Sequence, residues 1–199
     1  AVWIERSLKT IFNSRNGSVS EVNLLLVAML KRAKLEAYPI ILSTRDNGYV
    51  YPFYPLLSRF NYTIAGVNLG DQFLNLDASD PLLGFGKLSA ACYNGHARIV
   101  NEEATPLNFA ADSLKEQKFT SVMLGKLTDG MLEGSFQQRP TYFESYGIRQ
   151  TVKGKGQDEY FDKLRKGFTG EIEMANKEID ELKDLESPVM VKYDFKIKV

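Results

Sequence analysis

A helix start is written at Ser18-Val19-Ser20-Glu21, where a serine precedes a glutamate by three residues just ahead of an apolar run. With Ser18 as N-cap, Val19 takes the first helical position. Val22, Leu25, Leu26, Met29, Leu30 and Ala33 then recur at helical spacing. Leu24, Val27 and Ala28 fill much of the other side, which predicts a helix over 18–34 buried nearly all round. Lys31, Arg32 and Lys34 close it, where cations suit the helix dipole. The next segment, 38–44, is rich in β-branched residues and ends at the turn signal Arg45-Asp46-Asn47-Gly48. Strands over 60–69 and 72–76 meet at Gly70-Asp71, the spacing of a hairpin. A helix followed by antiparallel strands makes an α+β fold, not a series of βαβ units.

From 78 to 98 the chain reads as loop, punctuated by Pro81, Gly84, Gly86, Asn94 and Gly95. The pattern changes near residue 105, which predicts two domains, 1–105 and 106–199. Two long strands, 114–127 and 131–138, flank Thr128-Asp129-Gly130, and short helices fit 140–152 and 157–168 around Gly154-Lys155-Gly156. Residues 171–185 suit either a helix or an exposed strand. The last segment alternates most strictly: Val189, Val191, Tyr193, Phe195, Ile197 and Val199 interleave with Met190, Lys192, Asp194, Lys196 and Lys198. The second domain is therefore expected to be β-rich and incomplete. Alternatively its final strand lies exposed at an edge at Val199, where Lys192, Lys196 and Lys198 would discourage edge-to-edge pairing.

Charge and side-chain inventory remove several function classes. Twenty-five basic residues balance 25 acidic ones, so no overall field favours nucleic acid or an anionic membrane. One cysteine rules out an internal disulfide or a multi-cysteine metal site, and one histidine argues against zinc, so neither metal nor cofactor is expected. The longest apolar run, 24–30, is too short to span a bilayer, and no signal peptide is visible. Asp77 and Asp80 beside a turn read as solvated or capping carboxylates.

Three ordered stretches resemble the signature of transglutaminase-like (papain-type) domains. They are Gly17-Ser18-Val19-Ser20-Glu21 with its apolar helix and Leu35-Glu36-Ala37 exit, then Phe60-Asn61-Tyr62-Thr63-Ile64, then Leu76-Asp77-Ala78-Ser79-Asp80-Pro81. The resemblance covers about residues 10–100. Ile41-Leu42-Ser43-Thr44-Arg45 and Cys92-Tyr93-Asn94-Gly95 look like the branch found in multi-domain exported bacterial proteins. It implies a papain/transglutaminase-like core, a buried helix packed on an antiparallel sheet. It also implies flanking domains in the same polypeptide and a periplasmic or cell-surface location. Carried over residue by residue, the nucleophile position is Val19, the general-base position Tyr62 and the orienting carboxylate Asp77. Only Asp77 keeps the family's residue type.

Valine has no nucleophilic atom, and a phenol with an ordinary pKa of about 10 is poorly matched to base work at neutral pH. Loss of the nucleophile alone removes most of the rate, since a triad acts as a unit. The expectation is a pseudoenzyme: a catalytically inactive module that binds a peptide or glycan in a vestigial cleft, or serves only as structure. Cys92 and His96, four residues apart, are the one alternative thiol–imidazole pair for an active peptidase or acyltransferase. The competing reading makes Cys92 a small buried residue and His96 a surface one. Tyr49, Tyr51, Phe53 and Tyr54, interleaved with Pro52 and Pro55, are candidate groove aromatics or, alternatively, cover for a sheet edge.

Overall fold

The computed structural model describes residues 2–54, 56–128 and 130–198, and for 126–128 the backbone alone. Pro55, Asp129 of the expected turn and Val199 of the last strand lie outside those residues. The chain forms two compact units, Ala1–Lys115 and Glu116–Val199. Both combine helices with an antiparallel sheet, as an α+β fold requires.

In the first unit a short helix, α1 (Leu8–Ser14), precedes α2 (Val19–Arg32). Seven residues with one buried side chain, Ile11, leave α1 no periodic pattern to detect in the sequence. α2 begins with the full capping box: Ser18 Oγ accepts from the Glu21 amide while the Glu21 carboxylate accepts from the Ser18 amide. Arg6 adds a bidentate ion pair to Glu21, 2.6 Å at its shorter contact. Gly17 lets α1 and α2 close up, since a Cβ there would stand 3.1 Å from Ile11 and 3.2 Å from Val22.

The expectation that α2 is buried all round is wrong. Met29 is 52% exposed, and the buried positions are Ser20, Glu21, Asn23 and Val27. A helix on one side of a sheet covers a single stripe, and here much of that stripe is polar.

Five strands follow: β1 (Glu36–Leu42), β2 (Tyr62–Leu69), β3 (Gln72–Leu76), β4 (Gly95–Ile99) and β5 (Pro106–Phe109). They run antiparallel in the order β3-β2-β1-β4-β5. Gly70, at φ 63°, makes the tight β2–β3 turn. One sheet face carries Ala37, Ala65 and Val67 against Val27 of α2. The other carries Ile40, Leu42, Ile64 and Ala97 against Leu88 and Cys92.

The units divide at Lys115/Glu116, not at residue 105. Residues 106–109 read as the start of a new pattern, yet they pair with β4 and complete the first sheet.

The second unit holds β6 (Lys118–Thr128), β7 (Met131–Pro140), α3 (Tyr142–Lys155), α4 (Gln157–Lys166), β8 (Ile172–Asp180) and β9 (Met190–Lys198). Ile148 of α3 and Phe161 of α4 pack with Val191, Tyr193 and Phe195 of β9. β9 is not an edge strand. The order is β6-β7-β9-β8, so the segment with the cleanest alternation lies in the interior of the sheet. Lys196 and Lys192 do not guard an edge either, because they pair with Glu133 and with Asp180 on the neighbouring strands. The ambiguous 171–185 stretch is β8 followed by a loop. The buried Arg149 guanidinium donates to the carbonyls of Glu181, Asp184 and Ser187 and fixes that loop.

Candidate functional site

The N-terminal part of α2 meets the β2–β3 edge through a set of hydrogen bonds that are buried at Thr63 and part-buried around Asp77. The Asn23 side chain, 0% exposed, donates to the Thr63 carbonyl at 2.9 Å and to Asp77 Oδ1 at 2.8 Å. Its own oxygen accepts from the Ala78 amide at 2.8 Å. Ser20 Oγ meets Thr63 Oγ1 at 3.1 Å. Tyr62 Oη donates to Asp77 Oδ2 at 2.8 Å and lies 3.0 Å from Ser79 Oγ, while the Ser79 amide donates to Asp77 Oδ1 at 2.9 Å. Both carboxyl oxygens of Asp77 are thereby occupied.

The β2–β3 hairpin brings Asp77 back beside the start of β2, within reach of the Tyr62 hydroxyl. Val19 belongs to the same helix face as Asn23, one turn nearer the N-terminus, because residues four apart on a helix are neighbours. Helix-to-strand contact is made by Ser20 and Asn23. Neither was singled out as a site residue from sequence, although two polar residues three apart inside an apolar run are a readable signal.

Burial, with the nearby Asp77 charge, pushes the Tyr62 phenol well above its ordinary range. A phenol held protonated is a donor, not a base. Cys92 stands on the same sheet face, 1% exposed, with Sγ 3.7 Å from Ser89 Oγ. Burial first, and Asp77 second, push its thiol up to about 11, so it holds no thiolate at neutral pH.

The Cys92–His96 pair does not form. Ala97 packs in the Cys92 core, and successive strand residues face opposite sides, so His96 points to the other face. There His96 Nε2 accepts from Arg98 Nε at 3.1 Å, and burial with the Arg98 charge lowers its pKa.

The aromatic segment lies elsewhere. Tyr49 and Tyr51 are each 73% exposed and Phe53 is 90% exposed, with Tyr54 similarly bare. Their backbone is nevertheless tied down. Val50 is buried with Val2 and Phe60, and the Gly48 carbonyl accepts from Ser43 Oγ at 2.7 Å and from Asn94 Nδ2 at 3.0 Å. The Pro52 carbonyl accepts from Arg98 at 3.3 Å, and the Tyr54 amide donates to the Tyr51 carbonyl at 3.2 Å.

Between this segment and β5 runs an open groove of about 560 Å³. Tyr49, Tyr51 and Pro52 line one wall, Pro106 to Asn108 the other, and His96 lies within it. Of the four candidate groove aromatics, Tyr49 and Tyr51 line it, whereas Phe53 and Tyr54 stand outside. The groove borders β4 and β5, across β1 from the Tyr62–Asp77 cluster. It is a separate place from the cleft that the family resemblance implies.

A hollow of about 610 Å³ in the second unit is lined by Met123, Leu124 and Met174 together with Glu133 and Lys196, which pair with each other. Among the described residues no group of three or more His, Cys, Asp or Glu is placed to hold a metal ion. The Asp80 carboxyl accepts from the Leu82 amide at 2.8 Å, a local turn contact. No helix among them is long and apolar enough to cross a membrane. No family model, curated protein or solved structure matches the chain.

Proposed function

We propose that the first unit is a transglutaminase-like, papain-type domain without acyl-transfer chemistry, kept as a binding or structural module of a larger exported protein at the periplasm or cell surface. The order of a capped helix, a strand, the Tyr62 strand and the Asp77 strand supports the scaffold. One observation carries the loss of activity. The carboxyl that would orient an imidazole is taken up by Tyr62, Asn23 and the Ser79 amide. In the triad arrangement a carboxylate holds a histidine, which deprotonates a thiol or hydroxyl. Here a protonated phenol stands at the aligned histidine position, and Val19, at the aligned nucleophile position, has no nucleophilic atom.

The rival reading, a peptidase or acyltransferase using Cys92, is opposed by that thiol's burial and raised pKa. Turnover of a peptide-amide and a glutamine-amide substrate, with and without iodoacetamide, tests the proposal. The expected result is no turnover above buffer. Turnover that iodoacetamide and Cys92→Ser both abolish would overturn it.

A further inference from the structure

We propose that the groove between Tyr49–Tyr51 and β5 binds a neutral carbohydrate chain. This narrows the binding-module reading to one ligand class and one place, and it stands whether or not the scaffold is transglutaminase-like.

The segment 48–54 is built, not loose. Buried Val50 and donors from Ser43, Asn94 and Arg98 hold its backbone, yet its tyrosine rings face solvent. Folding gains nothing from holding bare aromatic rings in a fixed array, and clustered exposed apolar surface marks a binding site. Rigid aromatic side chains with a polar tip lose little entropy when they take up a ligand.

Charge decides the ligand class. No acidic or free basic side chain lines the groove. Arg98, beside the groove, donates from each of its nitrogens: Nε to His96, Nη1 to the Ala104 carbonyl and Nη2 to the Pro52 carbonyl. A cationic ligand would find no counter-charge, and an anionic one only an Arg98 whose three nitrogens already donate to protein acceptors. The polar groups present are two phenolic hydroxyls, the exposed Asn108 amide and the His96 imidazole. With Nε2 accepting from Arg98, the neutral imidazole carries its proton on Nδ1.

Flat apolar rings combined with mixed donors and acceptors, and with no net charge, complement a pyranose. A sugar ring offers an apolar face to an aromatic ring and hydroxyls at its rim. An extended peptide fits less well. β5, the strand it would have to join, is four residues long and begins at Pro106, which has no N–H to offer.

The test titrates the whole chain with cellohexaose, xylohexaose, mannohexaose and the hexamer of N-acetylglucosamine, and with a proline-rich decapeptide for comparison, read by calorimetry and by NMR shifts. At least one sugar should bind with a Kd between about 10 μM and 1 mM, the range of open, solvent-filled sites. Tyr49→Ala with Tyr51→Ala should weaken it at least about tenfold, Asn108→Ala less so, and Phe53→Ala, outside the groove, should leave it unchanged. These side chains are exposed, so the variants should fold, and NMR dispersion verifies that. The proposal fails if no sugar binds, if binding survives the double tyrosine change, or if the decapeptide binds and the sugars do not.

Discussion

The Asp77 cluster and the Tyr49–Tyr51 groove occupy one sheet but are opposite in construction. At Asp77 the hydrogen-bonding groups are half-buried and satisfied by one another: the buried Asn23 alone meets the Thr63 carbonyl, Asp77 and the Ala78 amide. At the groove the backbone is fixed while the side chains stand in solvent. A buried, satisfied network contributes to folding and has no group left for a substrate. An exposed, ordered array contributes little to folding and leaves its rings open to solvent. The region that the family resemblance would mark as catalytic is thus built as an internally hydrogen-bonded network, and the open aromatic groove lies two strands away.

Substitutions that break this contrast should do so in a definite order. Asn23→Ala removes the hub and leaves Asp77 and the Thr63 carbonyl short of a partner, so unfolding free energy should fall by about 3 kcal/mol in chemical denaturation. Tyr62→Phe removes one hydroxyl from the same network and should cost about 1–2 kcal/mol. Glu21→Gln sharpens the pH side of the comparison. Hydrogen bonds from Arg6, then from the Ser18 amide, lower the Glu21 carboxyl from 4.5 to about 2. Its stabilisation is therefore complete above 4.5 and is lost as pH falls toward 2. The variant should be less stable at neutral pH, with a flatter acid dependence across that window in thermal melts. Tyr49→Ala with Tyr51→Ala should change stability least, by no more than about 0.5 kcal/mol, because neither ring is buried. A larger loss would mean that the aromatic array serves the fold after all.

The sequence discloses structure where the determinant is local. The capping box places the start of α2 at Val19, the two residues Gly70-Asp71 specify the β2–β3 hairpin, and strict alternation identifies β9. It is silent where pairing is set by distant residues. β4 and β5 are five and four residues long, and the strand character of β4 comes from its register with Ile40–Leu42 of β1. β8 is ambiguous in sequence between helix and exposed strand because a bulge between Ala175 and Glu178, with Asn176 at φ 47°, breaks its alternation. Tyr62 and Asp77 were legible as a pair because a hairpin joins them. Asn23 was not, because a single amide in a leucine-rich helix acquires its role only when Asp77, 54 residues later, comes within reach. The groove is legible by half: the aromatic segment stands out in sequence, but its second wall, β5, reads there as the start of the next domain.

The central claim is that Asp77 is a structural partner of Tyr62 and not a poised catalytic carboxyl. A double-mutant cycle of Tyr62→Phe and Asp77→Ala, read as unfolding free energy, tests it most directly. The account predicts that the two changes are non-additive by about 1–2 kcal/mol, as expected for side chains in one buried hydrogen-bond network. Additive effects, or a single change that leaves stability untouched, would contradict it.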